Sequence, residues 1–484
     1  MHKRLVGNII LRILLFVCLV MTVPLAWGFG DEPQSPEVQA FVVTILVGLF
    51  IASLGLWIFR VRPEGFELLN AKDGLAIVGL SWICLSAFGA LPLYLSGVMD
   101  SYTDAFFEIT SGFTTTGATV IKDVETLPKG ILFWRSLSQW LGGMGIIVLY
   151  LALLPAFGYT AFRLYKAEAP GITLERIEPR IRETAKSLWS VYFLLTLMET
   201  FLLMGGGMSF FEALCHSFST LSTGGFSTRN ASIGAFSAYT QWVVFIFMFL
   251  AGVNFILHYQ ALKGHPKAFF RDEEFRFYFF LTLGGILVFT LFLLEWGQSP
   301  HPLREAAFTV TSIITTTGFV TADFDTWPNS LRLGLILFMV LGGCGGSTSG
   351  GLKVIRFFLA LKIALRSLIQ TIFPNAIVPI SYNAVPLNPK LILTVLSYFV
   401  IFIFLFLSGA ALITITESCD LDTALTLSIA SLSNVGPGLG EIGPTHTYAW
   451  VSIPGKWISI FLMLTGRLEL YSILILFLPS TWRK

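Results

Sequence analysis

Four short segments of this 484-residue chain hold the residue types that strip water from a cation. They are Thr114-Thr115-Thr116-Gly117-Ala118, Ser222-Thr223-Gly224-Gly225-Phe226, Thr315-Thr316-Thr317-Gly318-Phe319 and Ser433-Asn434-Val435-Gly436-Pro437. Small polar residues and glycine let the backbone extend with its carbonyls turned to one side, because glycine accepts angles that a side chain forbids. Carbonyl oxygens arranged in rings replace the hydration shell of K⁺. One such segment reads equally well as a turn or a polar helix contact. Here Ala105, Ala213, Ala306 and Ala424 each stand twelve positions before Gly117, Gly225, Gly318 and Gly436, an alignment without gaps. Four copies roughly a hundred residues apart imply four equivalent units around one axis. The candidate ion-binding residues are therefore Thr115, Thr116 and Gly117; Thr223, Gly224 and Gly225; Thr316, Thr317 and Gly318; and Asn434, Val435 and Gly436.

These segments need elements to carry them. An apolar stretch of about one short helix precedes each, with Asp104, Glu212 and Glu305 at its start and Asp422 nearby in the fourth. An acid there complements the positive end of the helix dipole, and the negative end then faces the site where a cation loses its water. The chain is 55% hydrophobic and 12% charged, with mean hydropathy +0.76. A soluble protein carries about a quarter charged residues, so the expected fold class is an all-α integral membrane protein. Ten apolar stretches are long enough to cross a bilayer: 8–29, 38–59, 74–96, 131–154, 185–207, 236–262, 277–297, 330–371, 391–417 and 451–479. The basic start of the first suits a signal peptide, but its length and the spans that follow read as a retained helix. The four segments fall between spans three and four, five and six, seven and eight, and nine and ten. The expected organisation is two extra helices over 1–70, then four helix–pore-loop–helix units over 71–165, 166–265, 266–375 and 376–484. About three quarters of the Lys and Arg lie in one alternating set of loops, which puts both termini in the cytoplasm and the four segments at the outer face.

Two further features suggest a gate. The eighth span is interrupted by Gly342-Gly343-Cys344-Gly345-Gly346-Ser347-Thr348-Ser349-Gly350-Gly351. So many glycines, each costing about 1 kcal/mol relative to alanine, do not make a regular helix. Non-helical backbone at membrane depth survives only inside protein or beside water. The expectation is an intramembrane loop below the four segments, with Gly343, Gly345, Gly346, Ser347, Thr348, Ser349 and Gly350 as gate residues. The alternative is close helix packing through small residues. Arg467, in the middle of the last span, is the second gate candidate, since an intramembrane charge faces a cavity or a partner. It would repel cations or pin the glycine loop through its carbonyls. A structural pair with Glu469 or Glu199 is the other reading. His216 reads as a hydrogen-bonded core histidine and Asn254 as an interhelical contact.

Other chemistry is absent from the sequence. There is no HExxH, GxSxG or Walker A pattern, so neither an enzyme nor a nucleotide-binding site is expected. Cys18, Cys84, Cys215, Cys344 and Cys419 show no metal-ligand spacing. A net charge of +2 without a basic cluster gives no reason to expect nucleic acid. The repeats share one orientation, which favours a channel-like pore over an alternating-access transporter built from inverted repeats.

The four one-glycine segments, the glycine loop and Arg467 together resemble the Trk/Ktr/HKT superfamily of K⁺ transport proteins, and within it the TrkH-like branch. The resemblance covers the whole chain, including the two extra helices that Ktr-type chains generally lack. It implies K⁺ as the transported ion with no permanently bound cofactor, and K⁺ selectivity from Gly117, Gly225, Gly318 and Gly436. It also implies a gate made by loop 342–351 and Arg467, a homodimer with one pore per protomer, and a bacterial inner-membrane location amid lipid. A cytosolic TrkA-type ring that binds NAD and adenine nucleotides would control it, with the basic loops 163–186 and 263–276 as docking face. K⁺ symport coupled to H⁺ or Na⁺, as in KtrB-like subunits, is the alternative. Asn434-Val435-Gly436-Pro437 departs most from the pattern, so the four-fold symmetry is expected to be approximate.

Overall fold

Residues 2–61, 71–153 and 181–482 are described by the computed structural model. The expected domain boundary at 165, most of loops 60–72 and 155–184, and most of the basic segment 163–186 lie outside these residues. Helices α1 (Lys3–Val20) and α2 (Thr22–Asp31) form one N-terminal span, and α3 (Pro36–Ile58) packs against both.

Thereafter helix, half-helix, loop and helix recur four times. The first set is α4 (Ala71–Gly89) with α5 (Leu91–Leu95), half-helix α6 (Tyr102–Phe113) and α7 (Lys129–Leu153). The second is α8 (Ile181–Gly205), half-helix α9 (Phe210–Leu221), and α10 (Ala238–Ala251) with α11 (Phe255–Leu262). After the short α12 (Lys267–Arg271) come α13 (Glu273–Trp296), half-helix α14 (Pro302–Ile314), and α15 (Asn329–Leu341) with α16 (Val354–Ile372). A small hairpin, β1 (Ser381–Tyr382) and β2 (Val385–Pro386), leads to α17 (Pro389–Thr416), half-helix α18 (Leu421–Leu432), and α19 (Ile453–Arg467) with α20 (Tyr471–Leu474). Each set closes on the next: α7 packs on α9, α10 on α14, α15 on α18, and α19 back on α6.

All ten expected spans are helical, but not all are continuous. Among the described residues six helical spans are long and apolar enough to cross a membrane, or eight if two bent pairs each count as one. Those pairs are corrections to the expected straight spans: the sixth bends by 100° between Ala251 and Phe255, and the tenth by 117° after Arg467. The eighth is broken by the glycine loop, as expected. The fourth, α7, turns the polar side chains Arg135, Ser136, Ser138 and Gln139 into the interior, which lowers its hydropathy. Large apolar side chains such as Phe50, Trp57, Phe201 and Phe404 cover the outside instead. The multi-pass membrane protein is thus polar at its centre and apolar at its surface, the inverse of a soluble domain.

Candidate functional site

The four half-helices end in the same way, and the ending sets the site. In α6 the amide of Thr115 bonds the Gly112 carbonyl at 2.9 Å and that of Thr116 bonds Ser111 at 2.9 Å. The equivalent pairs are Thr223 to Thr220 and Gly224 to Ser219, Thr316 to Ile313 and Thr317 to Ser312, and Asn434 to Ser431 and Val435 to Ala430. This is the Schellman closure, which requires a left-handed residue just past the helix. That residue is usually glycine; here it is Thr115 (φ 52°), Thr223 (φ 54°), Thr316 (φ 58°) and Asn434 (φ 58°). A β-branched residue in this region is strained, and it persists only where its surroundings fix it. Two residues on, Gly117, Gly225, Gly318 and Gly436 are also left-handed, with φ between 78° and 93°.

The four loops meet edge to edge. A Cβ on Gly117 would stand 2.3 Å from the Gly224 carbonyl oxygen, one on Gly225 2.0 Å from that of Thr317, one on Gly318 2.0 Å from that of Val435, and one on Gly436 2.5 Å from that of Thr116. Each glycine therefore faces the residue before the next unit's glycine, and the fourth unit returns to the first. The cycle is closed. All twelve candidate ion-binding residues lie in or beside it, and the hydroxyl of Thr115 is buried without a protein partner.

Side chains behind the ring hold it, and several were not singled out in the sequence. Gln139 donates to the Gly224 carbonyl at 2.6 Å and accepts from the Phe226 amide at 3.1 Å. Tyr448 donates to the Gly436 carbonyl at 2.6 Å. Asn434 donates to Thr116 Oγ1 at 3.0 Å and to the Met463 carbonyl at 2.9 Å, joining the fourth unit to the first. Glu108 and Arg135 form a fully buried ion pair at 2.8 Å. Glu108 also accepts from the Val120 amide, and Arg135 lies 4.1 Å from the Phe226 ring centroid. Only the position of Arg135 and Glu108 within apolar segments could have flagged them.

The first-turn acids are all held. Asp104 pairs with Lys456 at 2.7 Å, Glu212 with Arg229 at 2.6 Å, Glu305 with Ser299 at 2.7 Å and Asp422 with Arg332 at 3.6 Å. Burial works to raise the Glu212 carboxyl, but hydrogen bonds from Ser209 and Arg229 hold it below the usual carboxylate range.

Below the ring, residues 342–353 form the expected non-helical loop between α15 and α16. Gly350 donates to Thr316 Oγ1 at 2.7 Å, and a Cβ there would lie 2.1 Å from the Ser433 carbonyl oxygen. Thr348 donates to the Leu221 carbonyl at 2.9 Å, at the end of α9. The loop thus contacts three of the four half-helix ends. Gly343 lies beside the Gly252 carbonyl, which accepts from Cys344 at 2.9 Å; Gly346 accepts from Phe255 at 3.2 Å; and Ser347 donates to Cys344 at 2.6 Å. Asn254 is no interhelical bridge. It caps α11 and abuts Gly346 at the bend. Gly345 donates to buried Glu274 at 2.5 Å.

Arg467 ends α19 at the second bend. It donates to the Thr348 carbonyl at 2.6 Å and to the Gly142 carbonyl at 3.3 Å. Glu469 pairs with Arg356 instead, so the Arg467–Glu469 pair is not made. Lys353, buried and at φ 69°, donates to the neighbouring Ser349 carbonyl. His216 bonds the Glu212 carbonyl at 2.7 Å and Ser227 at 2.9 Å, as a satisfied core histidine.

The model of the TrkH family, described as a cation transport protein, matches residues 38–484. The Trk system potassium uptake protein TrkH of Halomonas elongata is 39% identical over 496 residues, covering all of both chains. The protein of the same description from Escherichia coli K12 is 38% identical over 495 residues, again covering all of both. The crystal structure of the potassium transporter TrkH from Vibrio parahaemolyticus superposes with a TM-score of 0.90 at 36% identity, covering all of both chains.

Proposed function

The chain belongs to the TrkH family of cation transport proteins, and on that premise we propose that it takes up potassium through a central pore. The reading rests above all on the closed cycle in which Gly117, Gly225, Gly318 and Gly436 each abut the next unit's carbonyl. Four units that meet this way present oxygen from all sides to one dehydrated cation. The half-helices point their negative ends at the same place. The family is one of transport proteins, not enzymes, and the transported ion is the only ligand the reading needs.

In this reading loop 342–351 is the gate and Arg467 its latch. The support is the 2.6 Å bond from the guanidinium to the Thr348 carbonyl, placed just below the ring. A fixed positive charge there also repels a leaving K⁺. We further propose that both termini are cytoplasmic, on the Lys and Arg asymmetry, and that the membrane is a bacterial inner membrane, as the resemblance to this family implies. A homodimer and a cytosolic TrkA-type nucleotide-binding ring, both implied by the resemblance to this family, complete the reading.

The test is cation flux into liposomes holding the purified protein, with K⁺ or Na⁺ gradients imposed and no pH gradient. Flux that follows the K⁺ gradient alone is expected. Flux that needs an H⁺ or Na⁺ gradient would replace the pore with coupled symport.

A further inference from the structure

At the start of α13 three consecutive acids, Asp272, Glu273 and Glu274, face two different parts of the molecule. Glu274 is buried and accepts the Gly345 amide at 2.5 Å. It therefore holds the glycine loop from within, at Gly345. Asp272 and Glu273 grip the β1–β2 hairpin. Asp272 accepts from Asn383 at 2.9 Å and from Tyr382 at 3.1 Å, while the Glu273 amide donates to Asn383 at 2.9 Å. Lys362, on α16, bonds Glu273 at 2.6 Å and the Ser381 carbonyl at 2.8 Å. The hairpin turn is tightly set, with Asn383 and Ala384 both left-handed. Its inner face is buried at Tyr382, and its outer face is open at Val385.

We propose that this acidic turn is a relay, with Glu274 as a positioning residue of the glycine loop and the hairpin as its handle. The proposal rests on the reading of loop 342–351 as a gate. Removing one partner of such a bond costs more than the bond's net worth, because the group left behind loses its acceptor. The loop has few apolar side chains of its own, so such bonds fix where it sits. The hairpin is tied to the same turn of α13 by the side chains of Tyr382 and Asn383. A displacement of the hairpin therefore moves Asp272 and Glu273, and with them the register of Glu274 against Gly345. The relay joins a surface hairpin to the permeation path without any contact between hairpin and ring.

The experiment is K⁺ and Na⁺ flux in liposomes for E274A, E274Q, N383A and the double variant N383A/E274A, with R467A as the benchmark of an unlatched gate. E274A is expected to raise K⁺ flux about tenfold, the worth of one hydrogen bond, with the K⁺/Na⁺ ratio unchanged. A merely damaged fold would lower flux or lose selectivity. E274Q keeps a carbonyl acceptor and should raise flux less. N383A should raise it alone and add nothing in the E274A background. Raised flux in R467A with none in E274A overturns the relay and leaves the gate. Equal effects of N383A in both backgrounds, or of E274Q and E274A, also overturn it. Silence in both R467A and E274A would remove the gate itself.

Discussion

At Gly117 a β-carbon would meet the Gly224 carbonyl oxygen at 2.3 Å, and the backbone already stands at φ 81°. A serine there suffers twice, from the clash with backbone and from about 1–2 kcal/mol of left-handed strain. G117S should displace one carbonyl of the ring and admit Na⁺; an unchanged K⁺/Na⁺ flux ratio would argue against the ion site. The closer approaches at Gly225 and Gly318, 2.0 Å each, should make alanine there more damaging than at Gly436, where the distance is 2.5 Å. Gln139→Leu leaves the Gly224 carbonyl and the Phe226 amide without their buried partner. It should lower the melting transition by an amount equivalent to about 1–3 kcal/mol and blur selectivity. The glycines were legible in the sequence because glycine is the residue that most readily takes these angles. Thr115, Thr223 and Thr316 were not legible as left-handed residues, since threonine ordinarily avoids that region. Only Asn434, at the same position in the fourth unit, carries a familiar left-handed signal. Gln139 was invisible too, because its role depends on a loop 85 residues away.

Elements show the same division. Ten small or polar residues in a row announced the loop between α15 and α16, since no helix is stable with them. The bends after Ala251 and Arg467 gave less notice. Gly252-Val253-Asn254 and Leu468-Glu469-Leu470 contain no run of breakers; the second turn closes locally, with the Leu470 amide on the Thr465 carbonyl and Glu469 and Leu470 left-handed, and a tertiary partner holds each bend. Gly252 gives its carbonyl to Cys344, and Arg467 gives its guanidinium to Thr348. All three breaks therefore lie around one loop. R467A should free the Thr348 carbonyl and raise K⁺ flux through reconstituted protein; reduced flux with an intact fold would make the arginine structural. Deletion within 343–350 should raise flux as well, and a silent pore would reject the gate. The first-turn acids were legible for the helix dipole, but their basic partners, Lys456, Arg229 and Arg332, come from distant segments that periodicity does not link.

Across the whole molecule, four units contribute to a single ring, and no unit completes it alone. The seams run from the first unit to the second, third and fourth and back, and the buried Glu108–Arg135 pair reinforces the first of them through Val120 and Phe226. A cation held there as proposed would touch all four units at once, and would bind the assembled fold and not the unfolded chain. Ligands of that kind stabilise by RT ln(1 + [L]/Kd), about 2.7 kcal/mol at a hundredfold excess over Kd. Thermal unfolding of the purified protein should therefore be later in K⁺ than in choline at equal ionic strength, with Na⁺ between them. G117S should erase the difference between K⁺ and Na⁺. R467A should retain that difference, because Arg467 bonds Thr348 and Gly142 and none of the four ring glycines. Melting that is identical in K⁺ and choline would mean that the four seams close without a cation. The ring would then be packing alone, whatever its resemblance to an ion site.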